Sequence, residues 1–156
     1  MDARNLENHQ HTEVVKPPLW LLAFIFFLLA SVALSIWAAF DNPAGLITLA
    51  ISIVLLYFVR NALIMRIDLT SRELRIGSAH IDRSYLGEVK ALTIEEMRLA
   101  RGRDANPAAF LSIRFWEPRG VKITIDDPRD PTPYWLISAK NAKGLVEALK
   151  SSKEII

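Results

Sequence analysis

Residues 19–40 run for 22 positions without an ionisable side chain, and at about 1.5 Å of helical rise per residue such a run crosses a hydrocarbon core about 30 Å thick. A second uncharged run, 42–59, closes on Arg60 and regains apolar character through Leu63, Ile64 and Met65. The pattern predicts two spanning helices, at about 19–40 and 44–64. The connection "FDNPAG" is too short for anything but a turn, and Pro43 and Gly45 suit one, so the helices form an antiparallel hairpin over residues 17–65. Pro17 and Pro18 suit the start of the first helix, and Trp20 and Trp37 fall where an indole buries its ring and keeps its N–H wet. Ser31, Ser35 and Ala38 share one face of the first helix, and Gly45, Thr48 and Ser52 one face of the second, which predicts mutual packing through two small-residue stripes. Residues 1–16 are polar and read as a tail.

After Met65 the period changes to two. Ile67 and Leu69, then Leu74 and Ile76, flank the polar turn "TSRE" and predict an antiparallel hairpin. Short strands follow at 79–83 and at "GEVKAL". In "TIEEMRLARG", Thr93 and Glu96 make a capping box, and Gly102 is placed for a left-handed C-terminal cap. "FLSIRFWEPRGVKITID" predicts a hairpin with Gly120 at a left-handed bulge, pairing Phe115 with Ile123 and Ile113 with Ile125, and setting Trp116 opposite Lys122 for a cation–π contact. "YWLISAK" supplies a last strand. Asn141 then caps a helix with Leu145, Val146 and Leu149 on one face. Seven antiparallel strands closed by a terminal amphipathic helix look like the pleckstrin-homology-like partial barrel. The fold class expected is therefore a membrane α-helical hairpin plus an α+β domain over residues 66–156.

Charge and composition narrow the function more by exclusion than by assignment. No cysteine is present, so disulfides, thiolate metal sites and a cysteine nucleophile are ruled out. From Arg66 onward 16 Lys and Arg stand against 13 Asp and Glu, a balance too mild for nucleic-acid binding. The basic residues have a telling distribution, however. Lys16 precedes the first span, Arg60, Arg66, Arg72 and Arg75 follow the second, and the connecting loop has none, which puts both termini on the cytoplasmic side of the inner (plasma) membrane. A secretory signal is the rival reading, but its apolar region should be about 7–15 residues long and end at a small-x-small site; this run is longer and has no such site before Asp41. Neither uncharged run, 19–40 or 42–59, holds an Asp, Glu, Lys, Arg or His, so transport through the hairpin alone is not expected.

The most site-like stretch is "RGRD". Arg101 and Arg103 form a cationic fork for phosphate or a partner's carboxylate, with Asp104 orienting one guanidinium; the same residues also suit a helix end and a pinned turn. "DPTPYW" adds Tyr134 and Trp135 as either amphipathic contact surface or core, and Arg72 joins Arg101 and Arg103 in an alternative headgroup-binding set. Ser78, His80 and Asp82 alternate like a triad, but same-face residues on a strand lie about 6.5 Å apart, too far for linked hydrogen bonds. His9 and His11, with Glu13 nearby, are metal-binding residue types on an unorganised tail. Phosphate-cradling and dinucleotide patterns are absent. No catalytic residue, cofactor or metal is assigned.

"RGRDANPAAFL" followed by "DPTPYWLIS", behind two spans that open on "PPLW", resembles an uncharacterised family of small actinobacterial membrane proteins. The likeness runs from Pro17 to nearly Leu149; Asn106 stands where that pattern suggests an acidic residue, and "HTEVV" departs from a more basic, aromatic approach to the first span. The resemblance implies an architecture and no activity. The expected function is a non-enzymatic membrane accessory or scaffold whose cytoplasmic domain binds a protein partner; the alternative is an anionic-lipid sensor.

Overall fold

The computed structural model describes residues 11–151. They divide into two units, one formed by residues 16–64 and the other by the segments on either side.

The first unit is a pair of helices, α1 (Leu19–Ala39) and α2 (Asn42–Leu63). Asp41 caps α2, its carboxylate accepting the Ala44 N–H at 3.0 Å, with Pro43 in the first turn where a missing N–H costs nothing. Both helices are long and apolar enough to cross a membrane, and only 11% and 6% of their apolar windows are buried. The hydroxyls of Ser31, Ser35, Thr48 and Ser52 each donate to the carbonyl four residues back, at 2.8–2.9 Å, which satisfies them without water.

The small stripe expected on α2 is present, since Gly45 and Ser52 are buried. On α1 the contact is different: Ala33 is buried while Ser31, Ser35 and Ala38 are exposed. The cause is Trp37, one turn from Ala33. A Cβ on Gly45 would lie 2.6 Å from its indole, so the large ring lies on the glycine where small residues were expected to meet. Its N–H is not left wet but donates to Asn42 Oδ1 at 2.7 Å.

The second unit holds eight strands, not seven, in two four-stranded sheets. The first has the order β1 (His11–Val15), β2 (Met65–Leu69), β3 (Glu73–Ile76) and β4 (Ala79–Asp82), all antiparallel. The extra strand comes from the segment read as tail: Val15 pairs with Met65 and His11 with Leu69. The pairing is invisible locally because the whole helical segment separates the two strands. Glu13 fixes it further, its Oε1 accepting the N–H groups of Lys140 and, at 3.2 Å, Asn141. The β2–β3 turn is as expected, with Leu69 opposite Leu74 and Ile67 opposite Ile76. Gly77, at φ +59°, makes the tight turn into β4.

The second sheet has the order β5 (Leu86–Leu92), β7 (Gly120–Ile125), β8 (Tyr134–Ser138) and β6 (Phe110–Ser112). Strand β6 runs parallel to β8, Phe110 opposite Trp135, so the expected hairpin across 110–126 does not form. Neither Phe115–Ile123 nor Ile113–Ile125 is a pair; β7 lies between β5 and β8 instead. The reason is Ser138, fully buried, whose Oγ accepts the Arg114 N–H at 2.9 Å and donates to Glu117 O at 3.2 Å. It turns the chain away after Ser112. Gly120 has no left-handed backbone, and neither has Gly102. Gly120 is needed for room: a Cβ there would lie 2.3 Å from the Ile137 carbonyl oxygen. Lys122 accordingly sits over Tyr134, 4.1 Å from the ring centroid, and Trp116 instead faces Arg114 at 6.0 Å.

Both sheets share one core. Ile67, Leu69 and Leu74 from the first meet Val121, Ile123 and Ile137 from the second, with Leu145 and Leu149 of α4 (Ala142–Ser151) completing it. Asn141 caps α4 as expected, accepting the Gly144 N–H at 3.1 Å. On the opposite face of β8, α3 (Ile94–Ala100) buries Met97 against Leu92, Tyr134 and Leu136. Every residue of β8 is buried because both of its faces are covered.

Candidate functional site

The first sheet ends at β4, the second begins at β5, and the two strands do not pair. The seam between them is an open cleft of about 740 Å³, within the size range of small-ligand sites. Asp82, Arg83 and Ser84, where the chain passes from one sheet to the other, line one wall. Asp82 Oδ1 accepts the Ser84 N–H at 2.9 Å and its hydroxyl at 2.7 Å, fixing a 3-10 turn at Arg83–Tyr85. The backbone bond from Ser84, then its hydroxyl, holds the Asp82 carboxyl below its usual range.

That turn aims Arg83 inward. One guanidinium nitrogen donates to Thr70 O at 3.0 Å and another to Leu149 O at 3.2 Å, so a cation meets the carbonyl end of α4. Burial lowers its pKa, yet an arginine stays charged at such a site. Across the cleft, β5 bulges between Leu86 and Val89, where the Glu88 N–H donates to Thr124 Oγ1 at 2.5 Å. Leu86, Val89 and Leu149 form an apolar floor, and Arg72, Arg83 and Lys150 outnumber Asp82 and Glu88 around it. The cleft is amphipathic and mildly cationic, suited to an acidic side chain attached to an apolar one.

Of the residues chosen from sequence, only Arg72 lines this cleft. It is exposed on the β2–β3 turn, and its carbonyl accepts the Arg83 N–H at 2.9 Å. Arg101, Arg103 and Asp104 form a separate exposed loop after α3. Arg103 Nε donates to Asp104 Oδ1 at 3.0 Å, which raises the guanidinium's pKa. Backbone bonds from Gly102 and Asp104 to Leu99 O, at 3.1 and 2.9 Å, close the turn. Arg101 makes no ion pair among the described residues.

Tyr134 and Trp135 offer little surface, being 7% and 5% exposed. Their neighbourhood to the arginine loop is real, since the Asn106 N–H donates to the Tyr134 hydroxyl at 3.0 Å. Asn106 Oδ1 in turn accepts the Ala108 N–H at 2.9 Å, a bond an aspartate makes equally well.

The triad residues do not assemble. Ser78 lies in the turn before β4, His80 faces Arg75 across the strands, and the Asp82 carboxylate is engaged by Ser84. His9 lies outside the described residues. His11 sits on β1 with Nε2 3.6 Å from Glu13 Oε2, and no metal-holding cluster occurs among the described residues.

What sequence reasoning missed was the cleft itself. "DRS" carries the signature of an aspartate-capped turn, but nothing local ties it to Leu149, 66 positions away from Arg83.

The sequence profile described as "Protein of unknown function (DUF3093)" matches residues 10–149. The match takes in His11–Val15, the strand that the approach "HTEVV" forms. No curated protein and no solved structure matches the chain.

Proposed function

The chain belongs to the DUF3093 family, and from that premise we propose a two-pass membrane-anchored accessory protein whose pleckstrin-homology-like β domain binds a protein partner, without catalysis of its own. Two exposed apolar helices of 21 and 22 residues support the anchor, because side chains such as Phe27, Leu34 and Phe58, each more than 60% exposed, need a non-aqueous surrounding. Two sheets closed by α4 support the domain type.

One observation carries the partner reading. Strands β1 and β2 flank the helical segment and pair with Val15 opposite Met65, so the start of α1 and the end of α2 leave from the same end of one ladder. Both chain ends then share one side of the bilayer. The Lys and Arg distribution favours the cytoplasmic side. From Met65, β2 runs about 13 Å at roughly 3.3 Å per residue before the turn that carries Arg72. Arg72 stands on the turn at the other end of β2 from Met65 and lines the cleft. The apolar floor and cationic rim of that cleft, suited to the mixed side chains of a protein, favour protein binding over the lipid-sensing alternative.

Site-specific photo-crosslinking from positions 72 and 101 in native membranes tests the proposal. The expected result is one recurrent adduct from position 72, lost with Leu149→Arg, which fills the cleft. A chain that remains solitary at both positions overturns it. Flotation of the β domain on anionic liposomes, weakened by Arg72→Ala, would restore the lipid alternative.

A further inference from the structure

Among the described residues of the β domain, three large apolar side chains stay exposed: Ile94, Leu111 and Phe115. The most exposed, Phe115 at 62%, stands on the turn that replaces the expected hairpin. Its placement is tightly built. Ser138 holds both Arg114 and Glu117, the Glu117 N–H donates to Arg114 O at 2.9 Å, and Trp116 braces the phenyl ring edge-on with centroids 4.9 Å apart. A buried serine and an indole are thus used to hold a phenylalanine out of the core.

The position of this turn along the strands gives it a partner. Ser112, the last residue of β6, donates its hydroxyl to Met65 Sδ at 3.0 Å, and Met65 follows α2 with only Ile64 between. The Ala139 N–H donates to Arg119 O at 3.2 Å, while Lys140, the next residue, is held by Glu13 of β1, two positions before Val15. The loop 113–119 is therefore preceded by a residue bonded to Met65, next to the return from α2, and its far end is bonded to Ala139, whose neighbour Lys140 is held by β1. Ile94 lies at the same end, because Leu92 pairs with Gly120. Arg114 and Arg119 flank the aromatic pair, giving the aromatic and basic composition that interfacial segments use.

We propose that the loop 113–119 is a bilayer-contact element in which Phe115 enters the interfacial zone of the membrane that α1 and α2 cross, with Arg119 at the phosphate level. The inference rests on the two-span reading given above. It assigns lipid contact to a loop distinct from Arg72, Arg101 and Arg103. A single aromatic insertion adds modest affinity, but at an anchored domain it acts intramolecularly, where local concentration is already high.

The absence of cysteine allows single-cysteine labelling of the full chain in liposomes of mixed zwitterionic and anionic lipid. An environment-sensitive fluorophore is placed at Phe115→Cys, at Ser71→Cys on the far turn, and at Val54→Cys in the middle of α2. Shallow and deep nitroxide lipids serve as quenchers. The expected result is deep quenching at 54, shallow quenching with a blue shift at 115, and solvent-like emission at 71. Deep quenching at 54 with solvent-like emission at 115 overturns the loop proposal and leaves the span reading intact. Emission at 54 that neither quencher changes overturns both. Equal quenching at 71 and 115 also overturns the proposal, because the whole domain would then lie on the lipid.

Discussion

The two units use the same apolar residue types in opposite ways. In the helical pair, Phe24, Phe27, Leu34, Ile47, Ile51 and Phe58 point outward, each more than half exposed, and the packed contact is made by Ala33, Trp37, Gly45 and Ser52. In the β domain, Ile67, Leu69, Leu74, Ile123 and Leu136 are wholly hidden, and Ile94, Leu111 and Phe115 are the large apolar side chains left exposed among its described residues. A large apolar side chain therefore reports the surrounding medium, not the interior. On the proposed two-span reading, large side chains go inside where water is the solvent, and small residues go inside where lipid is, because close backbone approach is what remains to be gained.

Truncation should expose this difference most strongly. Leu136→Ala removes a fully buried side chain and should cost about 2–5 kcal/mol, read as a shift in the denaturant midpoint of the β domain's near-ultraviolet signal. Leu34→Ala, on the outward face of α1, should leave that midpoint unchanged. Equal losses would erase the distinction. Reversing the substitution inverts the result: Gly45→Val forces Trp37 off α2, since even a Cβ lies 2.6 Å from the indole, at a cost of about 1–3 kcal/mol for overpacking. Trp37 fluorescence in micelles should shift, with the β domain melting as before.

Within the β domain, Tyr134→Phe keeps the ring beneath Lys122 and removes the acceptor of the Asn106 N–H. We expect a loss of about 0.5–1.5 kcal/mol and faster amide exchange at Asn106, with the buried core unaffected. The smallest effect concerns pH. Glu96 closes the capping box of α3, bonded to Lys90 Nζ at 2.7 Å and to Thr93, and the Lys90 bond first, then Thr93, lower its pKa from 4.5 to about 2. A depressed folded pKa means that the contribution is complete above the unfolded value and fades as pH falls from about 4.5 toward 2. Amide protection at the start of α3, relative to the intrinsic exchange rate at each pH, should fall over that window in the wild type and stay level in Glu96→Gln.

The elements that were legible in the sequence are those fixed by neighbours. The β2–β3 register follows from Ile67, Leu69, Leu74 and Ile76 around a four-residue turn, the α3 start from Thr93 and Glu96, and the α4 face from Leu145, Val146 and Leu149. What escaped depends on partners far along the chain. "HTEVV" becomes a strand only because Met65 returns beside Val15. The 110–126 segment has a strong hairpin pattern, but Ser138 captures its middle and β8 takes both flanks, one parallel and one antiparallel. Tyr134 and Trp135 follow the commoner fate of aromatics in a small core. Of the candidate site, the arginine loop was legible because its turn is local, whereas the seam cleft required Arg83 to reach Leu149.

The most direct test of the account is the sidedness of the two units, read with a membrane-impermeant maleimide on single-cysteine variants in intact cells and after lysis. With α1 and α2 crossing the bilayer as a pair, Asn42→Cys in the connecting loop should label from outside, and Ser71→Cys in the β domain only once the membrane is opened. Labelling of both positions from the same side would contradict it.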